Sequence, residues 1–150
     1  MVLTESAAIC TYVGDHFPAS RLTPPVGSPE RAHYDQWCYF VMSELEQPLW
    51  TLAKHTFALP ERLRVPAVRD TACWEFSVAA KVLAMGLGRR EFIIGDYFTV
   101  ADILITHTLA WARACKLPLE HEHLAAYAER LLARPAWART RERERAEAAA

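Results

Sequence analysis

Glycine is scarce in this sequence, 5 in 150 residues, and beyond Thr4 no stretch alternates apolar and polar residues for long enough to read as a strand. A sheet-based fold is set aside. Nor is there an uninterrupted apolar run of the ~20 residues a spanning helix needs. The most apolar segment, TVADILITHTLAWA, is broken by Asp102 and His107, which makes it a core helix and leaves no membrane partner. Neither sign of charge is in excess: 17 basic against 18 acidic residues leave a net charge of -1, so nothing draws the chain to nucleic acid or to an anionic surface. The four cysteines, Cys10, Cys38, Cys73 and Cys115, form no CxxC pair, and no cleavable signal peptide precedes them. Reduced thiols in a cytoplasmic setting are expected. Metal-ligand spacing is missing too. In EHEH, residues 120–123, His121 and His123 point to different sides of a helix, and GLG at 86–88 follows no strand and reads as a turn.

What remains is a sequence of helical blocks. With 52% apolar residues, a domain of this length buries roughly 70% of the surface its unfolded chain exposes. An opening helix carries Ile9, Tyr12 and Val13 at i, i+3, i+4 spacing, an apolar face that needs a partner. PASRLTPPVGSP, residues 18–29, packs four prolines, a glycine and three hydroxyl residues together and reads as a linker or surface loop. Ser28, Pro29 and Glu30 then supply N-cap, first helical position and acidic first turn of a long helix. Its apolar positions Tyr34, Trp37, Cys38, Val41, Leu45, Leu49 and Leu52 hold helical spacing, while Pro48 should divide it into two arms meeting near residues 44–48. A third helix is expected from about Pro66 to Met85, with Val68, Ala72, Phe76, Ala79 and Leu83 on one face and Gly86 and Gly88 as its stop. Val100 to Cys115 is apolar nearly all round, the mark of a helix enclosed by others. Another helix lies near Leu124 to Ala133, and RTRERERAEAAA reads as a solvated helical tail.

Two stretches carry local chemistry. In GDYFTVADI, residues 95–103, Thr99 and Asp102 are spaced as N-cap and N3 of a capping box, with Phe98 and Ile103 at the hydrophobic staple positions; the role read here is structural. In LTESAAICTYV, residues 3–13, Thr4 or Ser6 would cap the opening helix. Its outward amides and the Ser6 hydroxyl could then hold a carboxylate, and Glu5 an ammonium group. Both charges on one carbon describe an α-amino-acid end. The same residues also fit a capped helix with an acidic first turn and no ligand.

Taken together, LTESAAICTYV, GDYFTVADI and RLLARPAW resemble segments of the glutathione S-transferase superfamily over about Val2 to Trp137. The first is similar to the end of the thioredoxin-like half of those enzymes, the second to the motif that opens the central helix of their all-α half, and the third to their closing helix. QWCYFVMSELEQPLW looks most like the first long helix of the bacterial beta-type enzymes. The resemblance implies an all-α bundle of the C-terminal domain type at 30–150, a linker at 21–29, and at 1–20 a remnant, strand end plus one helix, of a thioredoxin-like domain. Glutathione would be the co-substrate, held at its γ-glutamyl end by Glu5 and Ser6, and small hydrophobic electrophiles the second substrate. Tyr39, Glu46 and Gln47 would edge the cleft on a face that also meets a homodimer partner. Trp111 would be a candidate wall of the electrophile pocket, although Trp37 and Trp111 are first expected as packed core aromatics. Beta-type proteins tend to carry histidine where this chain has Glu46.

The family's thiolate-stabilising residue and cis-proline loop lie in a part that this sequence does not contain. No catalytic residue is therefore named, and conjugation by this chain alone is expected to be very weak or nil. A noncatalytic helical interaction module is the alternative, and an unrelated bundle would place the Val100 to Cys115 helix at the surface.

Overall fold

The computed structural model describes residues 1–148, and seven α-helices with short π and 3-10 turns account for its order. They are α1 (Ser6–His16), α2 (Pro29–Phe40), α3 (Gln47–Ala53), α4 (Val68–Leu87), α5 (Val100–Ala114), α6 (Glu122–Leu132) and α7 (Pro135–Ala148). No strand occurs among the described residues; Phe92 and Gly95 make one isolated bridge. The strand end expected before Thr4 is coil, because a strand needs a neighbour to share its ladder and residues 1–5 have none here. Among the described residues no helix is long and apolar enough to cross a membrane.

The two-arm helix forms as the sequence implied. Ser28 accepts a hydrogen bond from the Arg31 amide at 3.1 Å, Pro29 follows it, and Tyr34, Cys38, Val41, Leu45, Leu49 and Leu52 line a buried face. The joint is a π turn, Val41–Leu45, closed by a bond from the Glu46 amide to the Val41 carbonyl at 2.8 Å. Pro48 has no N–H to return to Glu44, so the ladder slips by one residue before α3 resumes. A second π turn, Lys54–Ala58, ends that arm.

Helix α4 buries Ala72, Phe76, Ala79, Ala80, Leu83, Ala84 and Leu87. Its end corrects the expectation of a GLG turn: Gly86 lies within the helix, and the stop is Gly88, whose φ of 56° a side chain would disfavour. Gly86 serves a different purpose. A Cβ there would run into the Trp37 indole, which meets Phe40 edge to face.

Helix α5 is the centre. Val100, Ala101, Asp102, Leu104, Ile105, Thr106, Thr108, Leu109 and Ala112 are buried, and only a narrow strip through Ile103 and His107 faces outward. Helices α1, α2 and α6 and the first π turn all pack on it, so a surface position for this helix is excluded. Both bonds of the Thr99–Asp102 capping box are present. The Asp102 carboxylate, fully buried, also accepts from the Ile93 amide at 2.9 Å and the Tyr127 hydroxyl at 2.7 Å. With the Thr99 amide at 2.9 Å and its hydroxyl at 3.0 Å, four donors converge on one side chain. Burial and the Asp102 carboxylate push the Tyr127 phenol far above its ordinary pKa, which keeps it a donor.

Helix α6 buries Leu124, Tyr127, Ala128 and Leu131, and α7 has no buried residue. All four cysteines are free thiols.

The carboxylate network makes a quantitative expectation. Replacing Asp102 by Ala strands four donors in a dry interior, where each unsatisfied group costs ~1–3 kcal/mol, so the variant should lose at least ~3 kcal/mol in urea denaturation. A loss below ~1 kcal/mol would show that the fold does not lean on this carboxylate.

Candidate functional site

The opening helix has two faces. Ala7, Cys10, Thr11 and Gly14 turn inward at i, i+3, i+4, i+7 spacing, while Ile9, Tyr12 and Val13 stay 41%, 49% and 46% exposed. Only the small-residue face docks. The Thr11 and Tyr34 hydroxyls share a hydrogen bond of 2.6 Å, and a Cβ on Gly14 would come within 2.6 Å of Thr23 Cγ2. Asp15 receives two bonds from the Arg31 guanidinium, at 2.8 and 3.1 Å, and Arg31 also reaches Asp35 at 3.0 Å. These contacts hold α1 against the bundle. The stretch read as a linker takes part: a 3-10 turn, Pro18–Ser20, leads to Leu22, whose carbonyl accepts from the Val100 amide at 2.9 Å, and to Thr23, which is buried.

At the mouth of α1 the capping expectation is corrected. Neither Thr4 nor Ser6 caps the helix; Glu5 is the N-cap and no side-chain hydrogen bond closes it. The first intrahelical bond runs from the Ile9 amide to the Glu5 carbonyl at 2.9 Å, leaving the earlier amides open. Glu5 has φ 68° and ψ 116°, a backbone state costly for any residue with a Cβ. Such strain persists where something around it requires it. Glu5 and Ser6 are both exposed and line none of the five principal cavities among the described residues.

The cleft-edge residues separate. Glu46 Oε1 accepts from Trp50 Nε1 at 2.8 Å, and Trp50 meets Trp111 edge to face, with ring centroids 5.0 Å apart and planes at 87°. Glu46 and Trp111 are thereby joined through a residue that sequence reasoning passed over. The i, i+4 spacing of Glu46 and Trp50 was the signal available for it. Gln47 turns the other way, donates to the Thr51 hydroxyl at 3.1 Å, and lines a groove of about 280 Å³ with Phe40, Pro48, Trp74 and Val78. Tyr39 is exposed on the α2 surface. Trp37 and Trp111 are half-buried and packed against the core. Phe98 and Ile103 line one further cavity together, beside the capping box.

No activated nucleophile stands out in this arrangement. Burial raises the Cys10 and Cys115 thiols above their ordinary pKa and pushes Cys38 up to about 11, while the Tyr34 phenol is raised strongly by the same cause.

Comparison with known proteins decides the family. The profile described as glutathione S-transferase, C-terminal domain, matches residues 46–135. The chain belongs to the glutathione S-transferase family. It is 33% identical over 135 residues to glutathione S-transferase GstA of Escherichia coli O157:H7, covering 89% of this chain and 64% of that protein. A sphingomonad glutathione S-transferase solved in complex with glutathione superposes with a TM-score of 0.78 at 29% identity, over 91% of this chain and 65% of that one. The bacterial beta class glutathione S-transferase of Sphingomonas chungbukensis does so at 0.78 and 26%, again over 91% and 65%. The chain thus spans a little under two thirds of the length of these glutathione S-transferases.

The α1 dock responds to pH in a direction the geometry fixes. Hydrogen bonding from Arg31 holds the Asp15 carboxyl below its ordinary pKa. A group depressed in the folded state contributes stability above the unfolded value of ~3.9 and loses it as pH falls through the lower, folded value. With the two side chains 35% and 14% exposed, solvent screening limits the effect to ~1 kcal/mol or less. Asp15→Asn should therefore be less stable than the parent at neutral pH, with the gap closing in acid below pH ~3.9. A gap that persists in acid, measured by urea denaturation at both pH values, would remove the ion pair from the dock.

Proposed function

We propose that this chain is the helical part of a glutathione-conjugating transferase of the bacterial beta type, with the mouth of α1 as the anchor for the α-amino-acid end of glutathione. The observation that carries the proposal is the strained backbone of Glu5, followed by open amides at the start of an otherwise well-docked helix. Glu5 would take the ammonium group and Ser6, with the first-turn amides, the carboxylate. The Trp50–Trp111 corner, with Glu46 fixing the first indole, would form part of the wall against which a hydrophobic electrophile lies. A cytoplasmic setting, where glutathione and reduced thiols coexist, fits the four free cysteines.

Binding energy sets how much of this the chain performs by itself. Charge-assisted hydrogen bonds at Glu5 and Ser6 contribute ~1.5–3 kcal/mol each, and association costs ~4 kcal/mol or more. Glutathione should bind no tighter than about 1 mM, and no group here lowers the pKa of its thiol. In an NMR titration with glutathione, amide shifts are expected at Ser6, Ala7 and Ala8, reduced in Ser6→Ala, while chlorodinitrobenzene conjugation stays at the uncatalysed rate. Shifts elsewhere but not at α1 would overturn the anchor, and robust turnover would overturn the predicted inactivity.

A second copy is the partner favoured by the exposed side of α4. Trp74, Val78, Val82 and Met85 form an apolar stripe on it, bordered by the groove that Gln47 and Phe40 line. Glu75 and Lys81 lie three residues either side of Val78, so a two-fold axis near Val78 would set Glu75 of one copy opposite Lys81 of the other. The same stripe is what the interaction-module alternative would use. Sedimentation should show a dimer for the parent and a monomer for Val78→Glu; a parent that is monomeric at every concentration would refute self-association.

A further inference from the structure

We propose that the open-sided cavity lined by α5, α6, α7 and Phe98 is a binding site for a small aromatic carboxylate, separate from the mouth of α1. Its volume is about 210 Å³, its walls are Phe98, Ile103, Leu131 and Trp137, Thr106 forms part of the floor, and Arg134 stands at the opening. An apolar cavity of ~150 Å³ already holds benzene, so this one has room for a single ring with a carboxyl group. Two aromatic walls favour the ring.

The polar groups select the charge. Arg134 stacks on Phe98 with its guanidinium carbon 3.9 Å from the ring centroid, and it forms no salt bridge among the described residues. Stacking uses the face of the guanidinium and leaves its in-plane N–H groups for an acceptor, the geometry that carboxylates match in pairs. The two hydroxyls of the cavity are already spent as donors: Thr106 donates to the Asp102 carbonyl at 2.6 Å and Thr140 to the Ala136 carbonyl at 3.0 Å. Arg134 is the one charged side chain among the residues that line the cavity, so it is the donor that selects an anion. The buried Asp102 carboxylate lies one helical turn from Thr106 and would repel a negative group at the floor. The ring enters first, between Phe98 and Trp137, and the carboxylate stays at the opening beside Arg134.

Benzoate is the test ligand. Calorimetric titration into the 150-residue chain should give saturable one-to-one binding, with the fluorescence of Trp137 reporting occupancy by comparison with Trp137→Phe. Benzyl alcohol, which keeps the ring and loses the charge, should bind at least ~10-fold more weakly, and Arg134→Gln should weaken benzoate by a similar factor, partly recovered in Arg134→Lys. Ala136→Phe plugs the opening and should abolish binding; Thr140→Phe fills the same space from the other rim if the first variant melts at a lower temperature than the parent. Both positions are exposed. Absence of saturable binding, equal affinity for benzyl alcohol, or binding untouched by the plug and Arg134 variants would each overturn the proposal. None of these readings involves glutathione, so they stand or fall apart from the function proposed for α1.

Discussion

A carboxylate without water near it has to be matched from all sides, and the fold is arranged around meeting that demand at Asp102. Its partners come from three elements: the head of α5, the loop at Ile93 that precedes it, and the middle of α6 through Tyr127, 25 residues further along the chain. Packing alone would let α6 slide along α5, since apolar contacts are indifferent to small shifts. Directional bonds to a single side chain are not, so they fix the register in which Leu124 and Leu131 meet the core. The rim of the small cavity beside Phe98 inherits its shape from the same register.

The amino-terminal helix is held by a different kind of contact. Small residues allow close approach, and one hydroxyl pair and one guanidinium clamp then fix its angle. Its large apolar side chains face away from the bundle. The helix thus has a modest inner face, which docks, and a bulky outer one, which no other element covers among the described residues. The strained Glu5 stands at the start of this helix, exposed.

Much of this was legible in the residues. Ser28 with Pro29, and Thr99 with Asp102, declare helix starts through side-chain chemistry that works locally, and the spacing from Tyr34 to Leu52 marks the buried stripe without reference to its partner. What stayed hidden depends on distant or backbone geometry. Gly86 read as a stop because its actual constraint, the Trp37 ring, comes from another helix. Glu5 looked like a neighbour of a cap because nothing in a side-chain pattern reports φ. Tyr127 and Ile93 could not be paired with Asp102 without knowing how α6 crosses α5. Of the residues read as one cleft group, Glu46 and Gln47 parted because adjacent positions on a helix point about 100° from each other, and Tyr39 is set apart from both by the π turn at Val41–Leu45.

The π turn at Val41–Leu45 also bears on how the surface of α3 can change. A π turn is an α-helix that has absorbed one extra residue, so everything beyond it is rotated by about a third of a turn relative to an uninterrupted rod. Tyr34 and Cys38 before the slip and Leu49 and Leu52 after it still share the interior, yet Glu46 and Trp50 are swung toward Trp111. Gain or loss of a single codon in this stretch would thus exchange the side chains presented along α3 while the residues of the earlier arm kept their places. Such a slip offers a lineage a short mutational step from one α3 surface to another.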